Sequence, residues 1–522
     1  MRVGAVTPRK SPTVGGGFTF HETVLRALTT VSGNHEFVLL DLNATASGDW
    51  TGSGLPLVDV QTMLPSLGPQ AHDFPGTEAI ARKLALDVVW YLDPGAEVLS
   101  VPVFATVLDL GHRQLPFFPE VSRSGWDWES RESHYRHVLP RAARIFTGTH
   151  TGKEQIVRCY GVDPGNIVVN PFPAPELAGG DGPGQDDDVL TRYALTPGFL
   201  FYPAQFWPHK NHVNLLLALR RLEQEHNLAP DLVLTGSDQG NLAHVRAVTD
   251  ELGLQQRVKF LGFVPQSDLA ALYRHAAALV FPSFLGPDNL PPLEAFSLGC
   301  PVVASRIEGA EEQLGRKTVE FFDPAQPGEM AAAIARVLRS AAHRNSLISN
   351  GRVLAATRTA QAYVSVVLRT LDEFEPWRRN WPAETMQIPS AISRFPADLE
   401  NPALLQVGLS GDGWLAGRSS LLLIAPGKAS RLTVRGEVPY FCPAGFSTAL
   451  SVSVDGIKAP ERKLGAGRFE IEVDPPQVRG LHRVELAFSE LQKLPDPDGR
   501  LVGAKLEFIG FSDEGALSET PK

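Results

Sequence analysis

Cysteine is scarce in this chain: Cys159, Cys300 and Cys442 are the only three in 522 residues. They are too few and too widely spaced for a disulfide framework or a thiolate metal site. No apolar run approaches the ~20 residues needed to span a bilayer. The N-terminal MRVGAVTPRKSPTVGGG has no apolar signal-peptide region, so the expectation is a cytoplasmic protein. Excess basic charge is missing too. Lys and Arg number 48 against 58 Asp and Glu, a formal net charge of −10, which argues against a nucleic-acid partner and the basic footprint it would need. Arginines do gather locally, at Arg131, Arg136, Arg141 and Arg144, and at Arg378 and Arg379 between Trp377 and Trp381. A solvated helix face is the simpler reading. Peripheral contact with anionic lipid headgroups is the other.

What is present is ordinary for a soluble globular protein, 43% hydrophobic and 20% charged, and too long for one core. The first part alternates strands and helices. Apolar blocks at Arg2 to Val6, Phe37 to Leu42, Val88 to Leu92, Val103 to Leu108, Ile145 to Thr147 and Ile167 to Asn170 read as buried parallel strands. Residues 176–197, with GGDGPGQDDD, read as a flexible linker after a first unit of residues 1–175. A second alternating unit, 198–372, has strands expected at Phe199 to Pro203, Asp231 to Thr235, Val258 to Leu261, Ala278 to Phe281 and Pro301 to Ser305. Residues 373–394 follow as a connecting region. From residue 395 to 522 the period changes to two: Leu432 and Val434, Leu450 to Val454, Phe469 to Val473 and Val484 to Phe488 alternate with polar residues. That pattern predicts a β-sandwich of about six to eight strands.

The most informative stretch is Phe281 to Ser305, FPSFLGPDNLPPLEAFSLGCPVVAS. A strand ends at Phe281, a Gly/Pro/Asn loop follows, and a helix starts near Pro291, where proline is pre-set for helix and wastes no amide. Such a helix end attracts an anion. Gly299 stops the helix. Together with FLFYPAQFWPHKNH at Phe199 to His212 and VKFLGFVPQSDLAALYRHAAALVFPS at Val258 to Ser283, this stretch resembles the nucleotide-sugar half of the family-4 retaining glycosyltransferases. The resemblance runs from about Val3 to Pro382, densely in the second half. It implies the GT-B fold, two facing Rossmann-like domains, here with an appended all-β domain. It also implies a C-terminal helix returning to the first domain near EFEPWRRNWPAE.

Transfer of a glycosyl group from a nucleoside diphosphate requires the departing diphosphate to be stabilised. Asp-x-Asp, a common metal-holding spacing, occurs only at Asp186 to Asp188 and at Asp496 and Asp498, neither after a Rossmann-type strand. The expected site is therefore metal-free and without cofactor, with the nucleotide sugar as donor substrate. Lys210, between a Trp-Pro turn and a helix, is the candidate diphosphate cation. The resemblance places an Arg five residues earlier, where this chain has Gln205. Glu294 matches the second Glu of the family's paired-Glu motif and would accept from the ribose hydroxyls. The first Glu falls at position 286, occupied by Gly286. Asp288 and Asn289 could replace its polar contacts or merely shape the turn, and loop amides around Leu290 could hold phosphate or sugar. Gly262, Phe263 and Val264 lie where the family holds the base, and Glu311 either lines the same crevice or starts a helix. Asn211 reads as a helix cap.

In the first unit, Gly15 to Gly17 follow a strand and precede a helix, so Gly16 and Gly17 could let backbone approach the donor. Asp109 and His112, in ATVLDLGHRQLPFFPE, follow a strand and are expected to face the cleft; Leu108 stands where family members have His. A structural His-Asp pair is the alternative. The combined expectation is a metal-independent retaining hexosyl- or deoxyhexosyltransferase. Its acceptor would be a carbohydrate or lipid-linked glycan in bacterial surface polysaccharide synthesis. The rival is a non-catalytic glycan or nucleotide-sugar binding protein, since Gly286, Gln205 and Leu108 depart from the family's set.

Overall fold

The computed structural model describes residues 1–7, 16–31, 33–42, 54–59, 76–123, 128–175, 183–286, 289–378, 381, 388–401, 404–427, 430–439, 446–474 and 480–512. Two parallel sheets account for the first two thirds. The first contains β1 (Arg2–Val6), β2 (Glu36–Asp41), β3 (Leu57–Asp59), β4 (Val88–Tyr91), β5 (Val103–Thr106), β6 (Arg144–Thr147) and β7 (Ile167–Val169), in the order β3-β2-β1-β4-β5-β6-β7. The second contains β8 (Leu200–Pro203), β9 (Leu232–Thr235), β10 (Val258–Gly262), β11 (Ala278–Phe281), β12 (Val302–Ser305) and β13 (Val319–Phe322), in the order β10-β9-β8-β11-β12-β13. Strands such as VVWY, LVLT and ALVF are buried along their whole length, as sheets covered by helices on both faces require. Each order reverses beside its first strand, which opens a crevice at the carboxyl ends of the adjacent strands.

The lobes share one apolar core. The helix Ala360–Arg378 brings buried Tyr363, Val367, Leu371 and Phe374 back to the first lobe. There Phe374 meets Phe104 edge-on at 5.4 Å between ring centres and Tyr363 meets Phe20 at 5.4 Å. Arg378 pairs with Asp87. This helix ends at Arg378, early in the stretch where the resemblance placed a return. Within the stretch read as a linker, Pro183–Arg192 forms a helix, with Pro at its start and Asp186 in its first turn. Asp186 pairs with Arg274 and Arg192 with Asp268 at 2.7 Å, fastening this helix to the second lobe. Residues 176–182 lie outside the described residues.

Among the described residues the remaining chain is antiparallel, with ten strands in one sheet and two more paired separately, rather than the expected six to eight. The long strand Trp414–Ala425 makes it a sandwich. Its end from Arg418 pairs with Gly480–Phe488, while Trp414 and Leu415 pair with Ala504–Ser512. Both layers then face one core of residues such as Leu421, Val452, Leu486, Val434 and Ile509. The sandwich is seated on the first lobe. Ile388, Leu422 and Leu481 belong to the apolar cluster of Ile80, Ala81 and Leu86, and Arg82 donates to the Leu481 carbonyl at 2.6 Å. Among the described residues no helix is long and apolar enough to cross a membrane.

Four of the gathered arginines have partners within the first lobe. Arg131 pairs with Asp109, Arg136 with Glu132, Arg141 donates to the His137 carbonyl and Arg144 to Asn166. Arg379 lies outside the described residues.

Candidate active site

The second sheet reverses between β8 and β11, and the chain leaving each strand contributes to one site. After β8 the chain passes through the turn Pro208–Lys210 to Asn211 and the helix His212–His226. Asn211 is left-handed, φ 61°, a conformation asparagine tolerates. It does not cap the helix. Its Nδ2 donates to the carbonyls of Pro282 and Pro324, both at 2.9 Å, tying the turn to the loop after β11. Phe284 N–H donates to the His209 carbonyl at 2.9 Å and Tyr202 OH to the Lys210 carbonyl at 2.8 Å. Lys210 is thereby fixed against the loop. Its Nζ donates to Asn289 Oδ1 at 3.3 Å and sits 5.5 Å from the Phe281 ring centre.

The other wall of the cleft is the first-lobe segment after β5. Asp109 accepts from the Gly111 amide at 2.8 Å and from Arg131 at 3.2 Å. Burial pushes its pKa upward, but Arg131 and the Gly111 amide outweigh burial and hold it below the ordinary value. Glu120, on the short helix Pro119–Arg123, reaches across: its Oε1 accepts from His209 N–H at 3.0 Å and from His209 Nδ1 at 2.6 Å. Phe118 lies against both His209 and Phe284. Burial lowers the Lys210 pKa to about 8, against the opposing pull of Asp109 and Glu120. The cation thus lies within the field of two carboxylates from the opposite lobe.

The loop after β11 explains its own sequence. Gly286 has φ 110°, and a Cβ there would meet the Asn289 amide at 2.5 and 2.6 Å. Asn289 donates to the Leu285 carbonyl at 3.2 Å and to that of Gly286, and its own carbonyl accepts from Gln313 at 3.0 Å. Asn289 therefore occupies the space a side chain at position 286 would claim. Asp288 lies outside the described residues. The Leu290 side chain is buried, and its carbonyl takes the amides of Leu293 and Glu294 at 2.8 and 3.0 Å. Pro291 and Pro292 start the helix Pro291–Leu298 without amide hydrogens. Glu294, 7% exposed in its first turn, accepts from Tyr273 OH at 2.6 Å. Burial raises its pKa to about 7, more than the Tyr273 hydrogen bond lowers it.

Other expected residues are dispersed differently. Gly16 and Gly17 open the helix Gly16–Leu28 after β1; Gly15 lies outside the described residues. Gln205 is tied to Ser237 at 3.2 Å and to Trp207 at 3.0 Å. Gly262 ends β10 at φ 70°, its carbonyl taking the Gly236 amide at 2.8 Å, with Phe263 58% exposed beside it and Val264 buried. Glu311 is held by Arg306 and Arg316 at 3.5 and 2.8 Å. His112 is fully buried, and its Nε2 lies 3.3 Å from both Glu132 and Tyr160. Its ring packs on Trp128 and Tyr135, so His112 belongs to a first-lobe cluster rather than to a His-Asp pair. Sequence reasoning missed Glu120, His209 and Tyr273. Glu120 stood inside the PFFPE segment as a helix-start carboxylate, a signal too common to single out. Among the described residues no three His, Cys, Asp or Glu are grouped to hold a metal ion.

This arrangement, a partly buried lysine and a buried carboxylate at the switch point of the second sheet, coincides with a family match. Residues 191–354 match the family model of the glycosyl transferases group 1. The second lobe carries a glycosyl transferases group 1 domain. O-antigen chain mannosyltransferase B of Escherichia coli is 30% identical over 211 residues, 40% of this chain and 54% of that protein. The chain spans about half the length of the curated relatives it matches. Two solved structures share the architecture around the group 1 domain. Sucrose-phosphate synthase from Thermosynechococcus elongatus superposes with a TM-score of 0.58 at 17% identity, over 72% of this chain and 100% of the other. Anabaena HepE in complex with UDP and glucose gives 0.55 at 17% identity, over 72% and 100%. The fold is GT-B with an all-β domain appended.

Proposed function

We propose that this protein is a metal-independent retaining glycosyltransferase that moves a hexose or deoxyhexose from a nucleoside-diphosphate sugar to a carbohydrate or lipid-linked glycan acceptor in bacterial surface polysaccharide synthesis. The observation that carries the reading is Lys210. It is a partly buried ammonium at the switch point of a group 1 domain, with Asn289 Oδ1 as its one side-chain acceptor among the described residues. Desolvation disfavours its charge, and a diphosphate in the cleft would restore it. As the glycosidic bond breaks, Lys210 stabilises the charge growing on the leaving diphosphate. Glu294 accepts from the ribose hydroxyls, and the exposed Phe263 with the Gly262 backbone faces the base. Asp109 orients the reacting groups from the first lobe, and closure excludes water that would hydrolyse the donor. The leaving phosphate takes the acceptor proton on the face it departs from, which returns the original anomeric configuration. The mannosyltransferase likeness and the UDP and glucose bound to HepE support the donor class.

Incubation with a panel of nucleotide sugars and glycan acceptors, in the presence of chelator, tests this. The expected result is donor consumption with retention at the anomeric carbon by NMR. The rival, a non-catalytic binding protein, draws on the Asn289 amide filling the place at Gly286; tight donor binding without consumption would establish it instead.

A further inference from the structure

Glu120 is 1% exposed, lies outside the group 1 domain and comes from the lobe opposite Lys210. One of its oxygens is accounted for: Oε1 takes both the backbone and ring N–H of His209. The other is not. Oε2 is buried without a hydrogen-bond partner among the described residues. A buried carboxylate oxygen left unpaired costs more than most folds tolerate, so such a group marks either a strained element or an absent ligand. Here the neighbourhood decides. Glu120 is close enough to Lys210 to bias its ionisation, and the His209 carbonyl that receives Phe284 N–H ties it to the loop preceding Asn289.

We infer that Glu120 is a donor-contacting residue whose Oε2 accepts a hydrogen bond from a hydroxyl of the transferred sugar. The inference rests on the glycosyltransferase reading and adds a sugar-recognising group from the first lobe. A carboxylate beside the cation repels phosphate oxygens, so its partner must be a donor, and the hydroxyl-bearing ring beyond the diphosphate supplies one. Because Glu120 also holds His209, the residue preceding Lys210, sugar contact is coupled to placement of the diphosphate cation.

The test is Glu120→Gln, which keeps an acceptor for His209 but replaces the free acceptor by an NH2 donor. Calorimetry compares UDP with UDP-glucose and GDP with GDP-mannose. For the pair the wild type binds, the variant should leave diphosphate affinity within about twofold and weaken the sugar nucleotide by about tenfold or more. Equal weakening of both ligands would mean ribose contact or mere lobe fastening, and no weakening of either would mean no contact; both results overturn the assignment alone. A wild type that binds none of the four probes overturns the reading of the whole site instead. If Glu120→Gln melts well below the wild type, Glu120→Asp, which keeps the charge but withdraws it by one methylene, is read by the same comparison.

Discussion

At the scale of single residues the site is governed by desolvation. Lys210 is depressed to about 8 by burial, so in the free protein it loses its proton as pH rises through that value. If it binds a diphosphate, affinity should fall about tenfold per pH unit above about pH 8. In Lys210→Arg, whose guanidinium stays charged, the fall should vanish; a flat wild-type profile by calorimetry contradicts the assignment. Glu294 is displaced the other way, up to about 7 by burial. Below the unfolded pKa of about 4.5 both states are protonated and the residue costs nothing. Between that value and about 7 the unfolded chain ionises while the folded one keeps its proton, so stability falls with rising pH, by up to about 3 kcal/mol in all. Glu294→Gln keeps an acceptor for Tyr273 and never ionises. Its stability advantage over the wild type should therefore widen across that window and then level off, measured by denaturant midpoints near pH 5 and pH 8. A constant difference would sink the idea.

At the scale of elements, the loop between β11 and its helix is built around a glycine. Gly286 combines φ 110° with the Asn289 amide packed where a Cβ would go, so putting Glu at 286 does not recreate a carboxylate site. Gly286→Glu should cost roughly 1–3 kcal/mol and displace Asn289 from Lys210. Thermal unfolding with donor titration checks both, and an unstrained, more active variant would refute the account. The parallel strands were legible because both faces are buried, which leaves continuous apolar blocks such as ALVF. The helix Pro183–Arg192 was not. Its Gly/Pro/Asp composition reads as linker, and its order comes from Arg274 and Asp268, about 80 residues away in sequence. The strand Trp414–Ala425 escaped for a related reason: it serves both sandwich layers, so LLLI breaks the alternation.

For the whole molecule, the lobes are latched by polar contacts that the sequence does not advertise. Glu312 accepts from the His150 and Thr151 amides at 2.5 and 3.1 Å, at the positive start of the first-lobe helix His150–Tyr160, and Gln155 donates to Glu308 at 3.1 Å. Such a carboxylate is worth about 0.3–1 kcal/mol, enough to bias an open-closed equilibrium. Glu312→Ala should enlarge the nucleotide-free radius of gyration in small-angle scattering; unchanged scattering would show that the latch does not set the lobe angle. The sandwich is attached by apolar contact. Leu481→Asp would place a charge in the seat shared with Ile80 and Ala81, and should lower the melting temperature and promote aggregation. A variant as stable and monodisperse as the wild type would show that the domain is merely tethered.

The sequence by itself determined the two alternating lobes, the all-β tail, and the places of Lys210 and Glu294, because periodicity and turn chemistry are local properties of the chain. Only the tertiary structure decided which charges meet. Glu120 and His209 are 89 residues apart, and Asn289 rather than a carboxylate fills the space over Gly286. Pairings of that kind depend on how the lobes close on one another, and desolvation, which sets the charge of Lys210 and Glu294, exists only once they have.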